Sequence, residues 1–342
     1  MTRKTLLPPR NNAGYFCDIM DVMAKQKKTF SKKELETFSA EEIIDKIQHE
    51  DYSLLTTLGA ENLRKEMVKV GKICNAAANY FINSTGPKNN HEKHMKAAHK
   101  KIVRLLKKFA PGDYSGVPRN IENGLVIGFN HPSLGEIMRL AMMKFDIMGD
   151  KPMYFPVNLP WYEALAPNYE RLKDLGIIIT PTITPATWRK IGLKEGTKTY
   201  ETASRIKREF RDMYTNLSRE AMKNGGVIFV APSATRQATV FKTEEVYRKE
   251  EPIIPTMSVL ALKLYADPEI KCDFLPLAIL PPKDYKRGLN FRKKYRLIPG
   301  EIMTAEEIRK KYFKTKSPER LDDFDWDFHQ RIAEKLPKKF WY

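Results

Sequence analysis

Residues 124–140, GLVIGFNHPSLGEIMRL, decide the fold because an apolar run ends abruptly in Asn130-His131 and a helical pattern follows. Residues 125–129 are mostly β-branched or aromatic, which is typical of a short buried strand in an α/β sheet. Ligands of open α/β sheets bind beyond the carboxyl ends of strands. We therefore expect chemistry at the junction that His131 and Glu136 bracket. Apolar residues then recur on one face of the following helix: Leu134, Ile137, Met138, Ala141 and Phe145.

The pair His131 and Glu136 has two interpretations. In the first, Ser133-x-x-Glu136 is a capping box that only starts a helix. In the second, the carboxylate orients one ring nitrogen of His131 and leaves the other nitrogen free to accept a proton. This arrangement needs no serine or cysteine nucleophile when the substrate brings its own hydroxyl. The spacing alone leaves both interpretations open.

Strands and helices alternate from residue 112 onward, which implies βαβ units. Further apolar strands are predicted at 176–180, 227–231, 274–280 and 297–302, with a long helix over 203–221 that ends at Asn224-Gly225. Ser31-x-x-Glu34, Ser39-x-x-Glu42 and Thr304-x-x-Glu307 predict capped helix starts. Residues 31–111 carry amphipathic helical patterns that predict a helical bundle. The expected fold is α/β: a basic arm (1–30), a helical bundle (31–111), and a larger α/β domain (112–342) with a central mixed sheet flanked by helices.

Composition restricts the partners and the compartment. Sixty Lys and Arg against 42 Asp and Glu give a formal charge of +18, which favours nucleic acid, an anionic membrane surface or an acidic carrier protein. Cys17, Cys74 and Cys272 are far apart and odd in number, which indicates a reducing compartment. No apolar run reaches the roughly 18 residues of a spanning helix, and no signal peptide is apparent. We expect a soluble or peripheral protein.

Two basic or histidine-rich segments have ordinary alternatives to a binding site. His91, His94 and His99 lack a known metal-ligand arrangement, and a solvated helix face is the favoured interpretation. No metal site is expected there. Residues 283–296 hold seven basic residues among aromatic ones, which suits nucleic acid, a membrane surface or a basic hairpin. The hairpin and membrane interpretations are favoured.

Residues 232–236, PSATR, directly follow the third predicted strand. Small residues allow a ligand to approach the backbone, and Arg236 is suited to grip a phosphate with two hydrogen bonds. The alternative is a surface arginine on a turn. Ser233 and Thr235 in the same block are candidate substrate-binding residues.

These blocks resemble those of the glycerolipid acyltransferases. Asn130-His131-x-x-x-x-Glu136 is similar to their N-H-x-x-x-x-D block, and PSATR is similar to their P-E-G-T-R block. The closest resemblance is to the soluble, plastid-type glycerol-3-phosphate acyltransferases, whose A-P-S-G-G-R resembles residues 231–236. Their P-L-A-L-L before a proline run resembles residues 276–282, and they also carry an N-terminal helical bundle. The order and spacing of the blocks match over residues 112–302.

The resemblance implies acyl transfer without metal, cofactor or acyl-enzyme. His131 would accept the proton of a glycerol-3-phosphate hydroxyl as that oxygen attacks a thioester carbonyl, with Glu136 orienting the imidazole. Arg236 would hold the acceptor phosphate. The donor would be acyl-coenzyme A or acyl carrier protein, and the acidity of the carrier suits the +18 charge. A role in phospholipid biosynthesis, in cytoplasm or plastid stroma, follows from the same resemblance.

The sequence also departs from the family pattern. Glu136 stands where an aspartate is usual, and Ala238 stands where the plastid enzymes have a second arginine. Their lysine-histidine pair is missing, and Arg189 or Lys190 is the candidate substitute. Alternative acceptors are lysophosphatidate or another alcohol. Two alternatives of another class are an inactive lipid- or membrane-binding homologue and a nucleic-acid-binding protein. We expect no nucleic acid because no known reader motif is present.

Overall fold

The computed structural model describes residues 27–65, 111–119, 121–132, 135–149, 151–232, 242–249, 256–282, 294–313 and 318–341, with short helical pieces between residues 96 and 108. Within these ranges, no helix is long and apolar enough to cross a membrane.

A seven-stranded mixed sheet forms the centre, in the order β1-β7-β6-β2-β5-β3-β4. Strands β6, β2, β5, β3 and β4 are parallel, β7 is antiparallel to β6, and β1 is parallel to β7. The predicted α/β fold with a mixed central sheet is confirmed. The strands are β1 (Gly112–Asp113), β2 (Gly124–Phe129), β3 (Met153–Asn158), β4 (Ile177–Thr182), β5 (Val227–Val230), β6 (Cys272–Leu280) and β7 (Tyr295–Pro299).

Helices cover both faces of the sheet. The alternation of strand side chains separates the two faces, since Val126 packs with α10 and α12 whereas Leu125 and Ile127 pack with α4. The α-helices are α1 (Lys32–Thr37), α2 (Ala40–His49), α3 (Leu54–Thr57), α4 (Gly135–Ile147), α5 (Leu159–Leu165), α6 (Tyr169–Asp174), α7 (Pro185–Ile191), α8 (Lys198–Lys223), α9 (Glu244–Lys249), α10 (Thr256–Tyr265), α11 (Ala305–Tyr312) and α12 (Pro318–Ala333). Two 3-10 turns, Ala166–Asn168 and Lys338–Phe340, complete the described helical structure.

The predicted strands lie close to the observed ones, and the predicted long helix corresponds to α8. That helix ends just before Gly225, whose φ of 66° is the left-handed conformation expected of a glycine after a helix. Two strands were not predicted: β1, which has only two residues, and β3. Pro156 lies inside β3 and lacks the amide hydrogen of a normal strand residue, which is why the pattern gave no strand there.

Near the N-terminus, the predicted capping boxes of Ser31 with Glu34 and Ser39 with Glu42 are both present. The helices that they start share one apolar core with α5 and α8. Residues 1–26 and 66–95 lie outside the described residues, and these hold the predicted arm and much of the predicted bundle. The division into arm, bundle and α/β domain therefore stays a prediction.

Candidate active site

Strand β2 carries Asn130 and His131 to the carboxyl edge of the sheet. All six residues of β2 are buried, and the strand lies between β6 and β5. The side chain of Asn130 is fixed to β6 by two hydrogen bonds. Its amide nitrogen donates to the carbonyl of Ile279 at 3.0 Å, and its oxygen accepts from the Ile279 amide at 2.6 Å. This clamp fixes the backbone from which His131 projects.

The structure brings His131 and Glu136 into direct contact. Nδ1 of His131 lies within hydrogen-bond distance of Oε1 of Glu136. The carboxylate side chain has no exposed surface, whereas the histidine side chain is 17% exposed. Glu136 lies in the first turn of α4, where the helix dipole favours a negative charge. A buried acceptor thus faces the inner nitrogen, while the ring retains access to solvent.

Sequence reasoning missed Arg139, one helical turn after Glu136. Arg139 is fully buried, and its guanidinium carbon lies 4.2 Å from the centre of the Tyr295 ring. Burial lowers the pKa of Arg139, and Tyr295, Tyr114 and Glu136 act in the opposite direction. The guanidinium is therefore a buried positive charge that interacts electrostatically with Glu136. Its helical position offered no signal, because a charged residue in such a pattern usually faces water.

This geometry suits proton transfer at the outer nitrogen of His131. When Nδ1 donates its hydrogen to Glu136, Nε2 carries the lone pair and is the proton acceptor. The ring of Phe129 approaches the imidazole edge-on, with ring centres 6.2 Å apart, and limits its rotation. Ser133, the other member of the predicted capping box, lies outside the described residues. Glu136 contacts His131 in either case.

Of the other predicted site residues, the structure describes Arg189 and Lys190, and these lie apart from the pair. Ser233, Thr235 and Arg236 lie outside the described residues, so their roles stay predictions. Arg189 and Lys190 are exposed in the last turn of α7, which follows β4. Strand β4 lies three positions from β2, a separation of roughly 14 Å at normal strand spacing. The role of these two residues as phosphate ligands also stays a prediction.

Metal-ligating residue types do not gather elsewhere in the described ranges: no group of three or more His, Cys, Asp or Glu is placed to hold an ion. The ring of His99 packs against the ring of Phe145, with ring centres 4.9 Å apart. His91 and His94 lie outside the described residues. Cys272 is buried in β6, where burial raises the pKa of its thiol to about 12. That thiol is therefore protonated and unsuited to act as a nucleophile.

Neither a scan of the sequence against models of known protein families nor a search of curated proteins finds a match.

Proposed function

We propose that this protein is an acyltransferase that moves a fatty acyl group from a thioester to the hydroxyl of glycerol-3-phosphate. The observation that carries the proposal is the contact between His131 and the fully buried carboxylate of Glu136 at the carboxyl edge of the sheet. The resemblance of the sequence blocks to glycerolipid acyltransferases supplies the reaction class. Lysophosphatidate is the alternative acceptor.

In the proposed reaction, Nε2 of His131 accepts the hydroxyl proton as the acceptor oxygen attacks the thioester carbonyl. The tetrahedral intermediate collapses, the carbon–sulfur bond breaks, and the imidazolium returns the proton to the leaving thiolate. Glu136 stabilises the imidazolium between the two steps. The products are an ester and a thiol, so the histidine ends each turnover as it began.

In this proposal, substrates are bound by residues 233–236, which follow β5 in the sequence, and by surface charge. Arg236, with Ser233 and Thr235, would hold the acceptor phosphate, and Arg189 or Lys190 would add a further cation. The net charge of +18 favours anionic substrates, and a peripheral position on an anionic membrane would bring the enzyme to its lipid product. The cytoplasm or the plastid stroma would be the compartment.

His131→Ala tests the proposal in an assay of acyl transfer to glycerol-3-phosphate and to lysophosphatidate. Loss of a general base lowers kcat by about 10²- to 10⁴-fold. The matched control is His49→Ala, since His49 is a half-exposed histidine on α2, far along the chain from the pair. Equal activity of the two variants would disprove the role of His131. A wild-type protein that transfers nothing to either acceptor would favour the inactive lipid-binding homologue.

A further inference from the structure

A second concave site lies beside the edge strand β4, between helices α7 and α8. Its cavity measures about 370 Å³, within the range of small-molecule sites, about 300–1,000 Å³. Cations, aromatic rings and hydroxyl groups line it, and none of the described residues in its wall is acidic. The site faces the same carboxyl edge of the sheet as His131, since Thr182 at the end of β4 contributes to the wall.

Three cations on α8 give the cavity its charge: Lys207, Arg208 and Arg211. Arg211 has a weak partner in Asp212, because their 3.4 Å contact joins two side chains that are 60% and 62% exposed. Across the described ranges, no carboxylate pairs with Lys207 or Arg208. Burial, and then the nearby Arg211, lowers the pKa of Lys207. The site thus holds positive charge that a bound anion would neutralise.

Two aromatic rings lie beside these cations: Trp188 on α7 and Tyr200 on α8. The Trp188 and Tyr200 rings meet edge-on with centres 5.5 Å apart, and the ammonium of Lys207 lies 4.6 Å from the centre of the Trp188 ring. The two rings are only partly buried. Inorganic phosphate would contact the cations and leave the exposed parts of both rings in water. A ligand that combines a flat ring with phosphate groups contacts both the cations and the rings.

We propose that this pocket binds a nucleoside phosphate, with the phosphates on the cations of α8 and the base against Trp188 and Tyr200. On the proposed acyltransferase function, on which this step rests, the nucleotide is that of coenzyme A. The acyl donor is then a coenzyme A thioester rather than an acyl carrier protein. A protein partner needs a broad contact area, whereas a cavity of this size admits a small molecule.

The position of the pocket suits such a donor. Three strand spacings, roughly 14 Å, separate β4 from β2 and therefore from His131. In coenzyme A, the pantetheine arm separates the nucleotide from the thioester. A nucleotide held beside β4 leaves that arm to cross the carboxyl edge of the sheet toward the imidazole.

Calorimetric titration of the full chain with coenzyme A and with pyrophosphate tests the assignment at fixed salt. Arg208→Ala/Arg211→Ala removes two exposed cations from the pocket, and Lys198→Ala/Lys223→Ala removes two from the ends of the same helix. The Lys198 and Lys223 side chains are 63% and 44% exposed. Arg208 and Arg211 are exposed as well, so both double variants should fold. We expect coenzyme A to bind at least about tenfold more weakly to the arginine double variant, and near normally to the lysine one. Tyr200→Ala should weaken coenzyme A binding and leave pyrophosphate binding unchanged.

Equal losses in the two double variants would overturn the assignment, since they would indicate general charge attraction. Pyrophosphate binding as tight as that of coenzyme A, with no effect of Tyr200→Ala, would overturn the nucleotide and leave only an anion site. Binding is also measured in His131→Ala, where turnover plays no part. If the wild-type protein binds coenzyme A at the pocket but transfers no acyl group, the result would support the pocket and contradict the proposed reaction. Acyl transfer from acyl carrier protein, without binding of coenzyme A, would support the proposed reaction and contradict the pocket.

Discussion

At the scale of single residues, the proposed reaction depends on the charge of Glu136, which would stabilise the protonated form of His131. The carboxylate has no exposed surface and contacts Nδ1 of the imidazole. Glu136→Gln keeps an oxygen that accepts the Nδ1 hydrogen but removes the charge that stabilises the imidazolium. We expect kcat to fall on the order of 10²-fold or more, because loss of the orienting carboxylate in such dyads is costly. Steady-state acyl-transfer kinetics measure the change.

Glu136→Asp completes that experiment. The contact spans the full length of the glutamate side chain, so a side chain one methylene shorter withdraws from His131 and leaves a small buried cavity. We expect its activity to fall as well, although aspartate is the usual residue in the enzymes that the sequence resembles. Wild-type rates in both variants would show that Glu136 only starts helix α4.

Asn130 has a structural role that can be tested separately from catalysis. Its side chain satisfies both the carbonyl and the amide of Ile279 on β6. Asn130→Ala leaves these buried groups without their partner, so we expect a loss of about 1–3 kcal/mol in the free energy of unfolding. Urea denaturation followed by circular dichroism measures it. An unchanged midpoint of urea denaturation would mean that water replaces the side-chain amide of Asn130 as the partner of Ile279.

The sequence predicts only some of the residues that form the site. The spacing of His131 and Glu136 gave their contact as one of two interpretations, and the structure brings the two side chains together. The buried Arg139 was not predicted, and neither was Lys144, a buried lysine whose ammonium donates to the carbonyls of Gly149 and Leu175. Burial of such charges depends on neighbours that are distant in sequence.

At the scale of elements, helix α12 carries two buried groups with opposite responses to pH. Asp325 accepts hydrogen bonds from the amides of Met257 and Ser258 at 3.0 and 3.2 Å, and so caps helix α10. Burial raises the pKa of Asp325 from 3.8 to about 7. One turn later, burial lowers the pKa of His329 from 6.5 to about 4.

The two shifts give opposite slopes of stability between about pH 4 and pH 6.5. Folded Asp325 binds its proton more tightly than the unfolded chain, so its contribution falls as pH rises. Folded His329 binds a proton less tightly, so its contribution is present above pH 6.5 and is lost as pH falls toward 4. Each slope is about 1.4 kcal/mol per pH unit. We expect the two to offset each other in the wild-type protein.

Single substitutions should separate the two slopes. Asp325→Asn should leave a protein that loses stability on acidification from pH 6.5 to pH 4. His329→Gln should leave one that loses stability as pH rises over the same interval. Urea denaturation at a series of pH values measures both, with His49→Gln as the half-exposed control. If the free energy of unfolding depends on pH in the same way in all these proteins, the assigned pKa shifts of Asp325 and His329 are wrong.

Elements also differ in how well the sequence predicts them. The capping residues Ser31, Ser39 and Thr304 marked helix starts correctly, because the side-chain-to-backbone hydrogen bond is local. Strand β3 was missed because Pro156 interrupts its pattern. Its place between β5 and β4 is set by partners that local patterns do not reveal.

At the scale of the whole molecule, strand order determines which candidate residues meet. Arg189 and Lys190 follow β4, whereas His131 follows β2. The sheet places β5 and β3 between these two strands, so Arg189 and Lys190 lie three strands from His131. Order within a parallel sheet depends on crossover connections, and a linear pattern of strands and helices does not specify it.

A buried carboxylate joins the N-terminal segment to the sheet domain. Glu163 on α5 accepts a hydrogen bond from the Ser53 hydroxyl at 2.6 Å and another from the Leu55 amide at 2.9 Å. Around it, apolar residues of α1 to α3 share a core with α5 and α8. We infer that residues 27–65 and the sheet unfold together.

Glu163→Ala should therefore lower the stability of the sheet as well as that of the N-terminal helices. It leaves a buried hydroxyl and a buried amide without their acceptor, for which we expect a loss of about 2–4 kcal/mol in the free energy of unfolding. Glu170→Ala is the control, since Glu170 is an exposed glutamate on the neighbouring helix α6, and such changes stay within about 0.5 kcal/mol. Calorimetry should give a single transition that moves to lower temperature. Two separate transitions in the variant, with the later one at the wild-type temperature, would mean that the sheet is stable without residues 27–65.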